Sequence, residues 1–170
     1  MGDLRSAPVP EVGSHDHVRG RSGPLVIVYA EFSCPHCAVA DARLREAPLR
    51  IVFRHFALRS RSPRAVALAC AAEAAALQGR FWEFHDALFD DQGRVDDPHL
   101  WERARRLGLD VARFEADRRS ELVASRVAGD VRGALRAGVA TTPTLFFAGE
   151  IHPGPPDTAT IQHMTGRATG

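Results

Sequence analysis

The sequence predicts an α/β protein in the order β-α-β, then a helical block, then β-β-α. Three observations carry this. Leu25–Tyr29 is a continuous apolar run rich in β-branched residues, the pattern of a strand buried on both faces. Cys34-Pro35 opens a helical stretch to about Ala47, and a second β run spans Leu49 to Phe56. Strand, helix and strand in that order imply a parallel pair joined by a crossover helix. Thr144–Ala148 then returns to strand after a long helical middle.

The elements between follow in order. Pro35 suits a first helical position, where its missing N–H would be unpaired anyway. Ser62-Pro63 reads as a cap and first turn for an Ala-rich helix running to Gln78 before Gly79. Phe81, Phe84, Leu88 and Phe89 recur at helical spacing. Asp97-Pro98 starts a helix ending near Gly108, and Asp110 caps the next. Val123, Val127, Val131 and Leu135 stand four apart, with Gly138 as a stop. A Gly149-Glu150 turn, a short strand near Ile151 and a last helix over Asp157–Gly166 complete the chain. The expected organisation is an extended arm over residues 1–24, an α/β domain from 25–61 and 138–170, and an inserted helical domain over 62–137.

The 170 residues suffice for one domain with its own core. Net charge is +1 from 22 basic and 21 acidic residues, which excludes nucleic-acid binding driven by bulk charge. Every basic residue is Arg, so lysine Schiff-base chemistry is excluded. No apolar run is long enough to span a membrane. The first 24 residues lack the apolar stretch of a secretory signal, so the expectation is a cytoplasmic protein, or an exported one if the sequence is a mature or trimmed form.

The strongest chemical signal is Cys34-Pro35-His36-Cys37, where a buried strand meets a helix. Two intervening residues at a helix start bring the sulfurs within bridging reach. The first cysteine lies where unpaired N–H groups and the helix dipole favour an anion. Such sites lower a free thiol from its usual value of about 8.5. His36, when protonated, adds positive charge. Stabilising the thiolate stabilises the dithiol, and so makes the disulfide more oxidising. Zinc is the competing reading, with His15 and His17 as further ligands, but a second paired ligand group is missing. Cys70, with Val66, Ala69 and Ala74 on one helical face, reads as a core residue. His55 and His85 read as packed histidines, and Glu102–Arg119 as a solvated surface with local ion pairs.

Cys34-Pro35-His36-Cys37 together with Thr142-Pro143-Thr144-Leu145-Phe146-Phe147 resembles the thioredoxin superfamily, and more closely its bacterial DsbA-like thiol–disulfide oxidoreductases. Phe53-Arg54-His55-Phe56, Gly79-Arg80-Phe81-Trp82-Glu83 and Leu107-Gly108-Leu109-Asp110 support the likeness, which covers about Asp16 to Pro155. Similar domains occur attached to sodium/proton antiporters, whose helices are not found in this sequence. The resemblance implies a thioredoxin fold with an inserted helical domain. It also implies a cis Pro143 facing the cysteines, with the Thr142 backbone free to pair with an extended substrate. Many relatives carry an acid at the position of Val28. Here the nearest acid is Glu31, which makes it the candidate for proton transfer to and from Cys37, with water as the alternative. Thr141 stands where close relatives often have Gly.

The expected function is disulfide exchange with protein substrates. Cys34 is the nucleophile, Cys37 the resolving thiol, and Pro35 and His36 the tuning residues between them; Thr142 and Pro143 hold the substrate strand. The expected direction is oxidising, with an unknown redox recycling partner and no metal or organic cofactor required. The alternatives are a peptide- or partner-binding module of the same fold, and a cytosolic reductase, peroxide-linked thiol enzyme or redox sensor.

Overall fold

A computed structural model describes residues 9–166. Strands β1 (His17–Arg19), β2 (Leu25–Ala30), β3 (Arg50–His55), β4 (Thr144–Phe147) and β5 (Glu150–Pro153) form one sheet in the order β1-β3-β2-β4-β5. β2 and β3 are parallel, with Val26 opposite Ile51 and Val28 opposite Phe53. The other pairings are antiparallel. Both ends of the chain thus build a single sheet, joined where β2 meets β4. With β2 at the centre, Val26 and Tyr29 are fully buried, as its unbroken apolar run requires.

Helix α1 (Pro35–Arg45) makes the crossover between β2 and β3. The helical block comprises α2 (Ala65–Ala76), α3 (Phe81–Asp90), α4 (Asp97–Arg106), α5 (Val111–Arg118) and α6 (Glu121–Arg136), and α7 (Thr158–Thr165) follows the sheet. The main core joins Val26, Val28 and Phe53 of the sheet to Leu44, Phe84 and Leu100 of the helices. A second cluster packs Tyr29 and Phe146 against Ala134 and Ala137 at the end of α6. Burying a large apolar side chain contributes about 1.5–3 kcal/mol. This is the thioredoxin fold with a helical insertion.

Several sequence expectations are corrected. Part of the N-terminal arm is a strand: β1 pairs with β3, His17 facing Phe53. Gly20 (φ +92°) and Gly23 (φ +99°) bring the arm so close to the α1–β3 loop that a Cβ would strike the carbonyls of Leu49 and Pro48. Ser62 does not cap α2, whose N-cap is Arg64; its hydroxyl is taken by Ser33 Oγ at 2.7 Å. The Val123–Leu135 stripe does not stay buried. Four-residue steps overshoot the helical turn and drift around the axis, so Val123 and Val127 are covered while Leu135 is 56% exposed. The Glu102–Arg119 stretch is not wholly solvated. Arg103 is 2% exposed and donates to the carbonyls of Ala87, Asp91 and Arg94. Asp110 caps α5 as expected, and the expected last helix forms as α7 with Asp157 as its N-cap.

Candidate active site

Cys34 is the N-cap of α1, with extended backbone (φ −83°, ψ 117°), and Pro35 occupies the first turn. An N-cap side chain accepts from the third helical N–H. Here the acceptor is sulfur: Cys37 N–H donates to Cys34 Sγ at 3.3 Å. Cys34 is half-buried, whereas Cys37 is 1% exposed. Both are free thiols.

The two sulfurs sit in opposite electrostatic settings. A hydrogen bond from the Cys37 thiol, with further ones from the Thr142 side chain and the Cys37 amide, outweighs burial and brings the Cys34 thiol down to about 6. Burial, and donation of that bond to Cys34, push the Cys37 thiol far up. One cysteine is therefore poised as a thiolate and the other as a thiol, the asymmetry that stepwise exchange needs.

The chain approaches this pair from a distant segment. The Thr142–Pro143 peptide bond is cis, and Pro143 is buried. The Cys34 thiol donates to the Thr142 carbonyl at 3.6 Å. Thr144 Oγ1 donates to the Thr141 carbonyl at 2.7 Å, and Gly154 N–H to the Pro143 carbonyl at 2.8 Å. These bonds hold the loop in front of β4 against the cysteines.

The other expected site residues are placed less directly. Pro35 and His36 are exposed on the first turn of α1. Glu31 is buried, but its Oε2 accepts from Ser33 N–H at 2.8 Å and from Ser33 Oγ at 2.6 Å. Ser33 and Ser62 continue that chain. The Glu31 charge opposes the Cys34 thiolate, and Glu31 does not line the small cavity beside Cys37. His17, considered as a zinc ligand, donates instead to Glu73 at 2.8 Å and stacks on Phe81. His55, fully buried, donates to the same carboxylate oxygen at 2.7 Å. Cys70 is buried with Ala69 and Val127.

Gln92 is a site residue that sequence reasoning missed. Its Nε2 donates to the carbonyls of Phe32 at 2.7 Å and Cys34 at 2.9 Å. It comes from the turn after α3, and nothing in its local sequence marks it.

The DSBA-like thioredoxin domain family model matches residues 48–165, well over half of the chain. The chain belongs to the DSBA-like thioredoxin domain family. That match begins beyond Cys37, so the geometry above is what ties the cysteine pair to the family's fold. A solved thioredoxin-like oxidoreductase from Silicibacter pomeroyi superposes with a TM-score of 0.80 at 25% identity, covering 91% of this chain and 92% of that one. DsbA2 from Pseudomonas aeruginosa, 24% identical, shares the fold with a TM-score of 0.71, covering 91% of this chain and 94% of its own. Among curated relatives, the Na(+)/H(+) antiporter NhaA 3 of Salinispora tropica is 44% identical over 157 residues. The match takes in 86% of this chain and 24% of that relative. NhaA 1 of Mycolicibacterium vanbaalenii is 41% identical, over 89% of this chain and 26% of its own length. The chain thus spans about a quarter of the length of these curated relatives. Among the described residues, no helix is long and apolar enough to cross a membrane.

Proposed function

We propose that this DSBA-like domain exchanges disulfides with protein substrates through Cys34 and Cys37, in the oxidising direction. The observation that carries the reading is the split pair: a half-buried Cys34 held near 6 by the Cys37 thiol, beside a buried Cys37 held high. A disulfide has no thiolate to stabilise. Every interaction that favours the Cys34 thiolate therefore favours the reduced pair and makes the disulfide a stronger oxidant.

In that direction a substrate thiolate attacks Cys34 Sγ of the Cys34–Cys37 disulfide. The S–S bond breaks and its electron pair leaves on Cys37. A second substrate thiolate then attacks the substrate sulfur of the mixed disulfide. The substrate is released oxidised, and both cysteines are left reduced. A recycling partner must remove two electrons to restore the disulfide. Run backwards, the same steps reduce a substrate. His36, exposed beside Cys34, tunes the thiolate when protonated, and the Thr142 carbonyl, facing the sulfur, receives an extended substrate strand. A cytosolic thiol pool would keep the pair reduced, so oxidation requires an oxidising compartment; a cytoplasmic location goes with the reductase or sensor reading.

The deciding measurement is the redox equilibrium of Cys34–Cys37 against glutathione, with Cys34→Ser as control. A potential nearer the roughly −120 mV of a strong dithiol oxidant than the roughly −270 mV of thioredoxin supports the proposal. A thioredoxin-like value makes the domain a reductase. Failure of the wild type to exchange, alongside retained peptide binding, makes it a binding module.

A further inference from the structure

Cys37 poses a proton problem. When the disulfide opens, the leaving Cys37 sulfur is buried and needs a proton; when Cys37 attacks, it must shed one. The strand residue behind it, Val28, is apolar and 5% exposed. Glu31, the acid nearest to Val28 in sequence, is tied to Ser33.

A small cavity lies directly against Cys37. Its walls include Val28, Ala30 and Phe53 from the sheet, Cys37 and Asp41 from α1, and His85 from α3. It offers about 10 Å³ of room for a water's centre, enough for one molecule. Asp41 is one turn beyond Cys37 on the same face of α1. Its Oδ1 is 3.7 Å from Nε2 of His85, and His85 Nδ1 is 2.9 Å from Asp86 Oδ1. His85 is 1% exposed, with its ring among Phe32, Phe53, Trp82 and Phe89. Asp41 Oδ2 is buried and makes no hydrogen bond, although the Arg45 guanidinium lies 2.6 Å away, off the hydrogen-bonding direction.

The surrounding charges leave room for one proton. Asp41 on α1 and Asp86 and Asp90 on α3 carry three negative charges. Arg45 on α1 and Arg19 on β1 carry two positive ones. Arg19 grips Asp86 at 2.7 and 2.8 Å, and Arg45 bonds Asp90 at 2.8 Å. Strands β2 and β3 add only apolar side chains to the cavity. With His85 neutral the cluster is one charge negative, and a single proton on Asp41 or His85 neutralises it. Burial raises the Asp41 carboxyl and lowers the His85 imidazole, so their affinities for that proton converge.

We propose that Asp41 and His85 form the proton relay for Cys37, acting through the cavity between them. This rests on the disulfide-exchange reading above. As a substrate thiolate attacks Cys34 Sγ and the Cys34–Cys37 bond breaks, the electron pair goes to Cys37. The proton held by Asp41 and His85 follows to the same sulfur. In the reverse step Cys37 returns its proton to the pair and attacks Cys34 Sγ, and the substrate sulfur leaves with the electron pair. Protons and electrons balance without any further reagent.

The test is the pH profile of disulfide opening and resolution, followed by rapid mixing with a small thiol, for wild type, Asp41→Asn and His85→Gln. Both variants should slow the step about tenfold or more near neutral pH and lose an inflection present in the wild type. The Cys34 titration should stay in place. Wild-type and variant profiles that superimpose overturn the relay while leaving disulfide exchange intact; a wild type that does not exchange overturns both. Should the variants fail to fold, NMR of the wild type decides. Titration curves of the His85 ring nitrogens and the Asp41 carboxyl should shift between oxidised and reduced protein, and identical curves in the two states overturn the relay.

Discussion

The Cys34 thiol points at the carbonyl oxygen of Thr142, 3.6 Å away, although 108 residues of chain separate them. Helix α1 and the loop before β4 meet because β2 and β4 are neighbours in the sheet. Thr142 also lowers the Cys34 thiol through its side chain.

Reduced protein should therefore show a thiolate ultraviolet step with a midpoint of about 6, absent in Cys34→Ser. Thr142→Val should move that midpoint upward. The sign for stability follows. The folded value lies below the unfolded one of about 8.5, so the thiolate stabilises the reduced fold most at pH above 8.5. That contribution is lost as pH falls through about 6. Denaturation of the reduced wild type and of Cys34→Ser should thus converge on acidification.

Gln92→Ala removes the two hydrogen bonds that hold the Phe32 and Cys34 carbonyls. The expected loss is about 1–3 kcal/mol, read as a lower urea midpoint with an unchanged slope. A midpoint equal to wild type would show that water replaces the amide.

Arg54 is 4% exposed and bonds Asp16 through Nε and Nη2, both at 2.9 Å. Asp16→Leu leaves that charge uncompensated and should cost about 3–5 kcal/mol. Asp16→Leu combined with Arg54→Met should cost far less than the sum of the two single changes, since no buried charge remains. Chemical denaturation of all four proteins measures the coupling.

Glu73 contributes to the acid sensitivity of the fold. Burial alone would raise its carboxyl, but hydrogen bonds from His17 and His55 overcome this and hold it well below the usual range. A depressed carboxylate stabilises the fold above its unfolded value, and that stability drains away as pH falls below about 4.5. Glu73→Gln should lower stability at neutral pH and flatten the acid limb below that point. Parallel acid limbs for the two proteins would refute this account.

Much of this is legible in the sequence. The unbroken Leu25–Tyr29 run marked a central strand because burial on both faces leaves no polar positions. Cys34-Pro35 marked a helix start because Pro tolerates only that place in a helix. What stayed hidden was set by partners remote in sequence. Ser62 reads as a cap, yet Ser33 takes its hydroxyl. The arm reads only as extended, yet His17–Arg19 pairs as a strand along β3. Arg103 reads as solvated, yet it is buried and satisfies three backbone carbonyls.

The same division holds at the site. Local sequence alone determined that Cys34 caps the helix start with Cys37 one turn on, because helix-end geometry acts within one turn and needs only Cys34 through Cys37. The surroundings were decided by the tertiary structure. Gln92 reaches the Cys34 carbonyl, Thr142 faces the sulfur, and His85 with Asp41 closes the cavity behind Cys37. Hydrogen bonds and charges act over a few ångströms of space, whatever the separation along the chain. Only the packing of α1, α3 and the strand order β2-β4 brings these groups within that range.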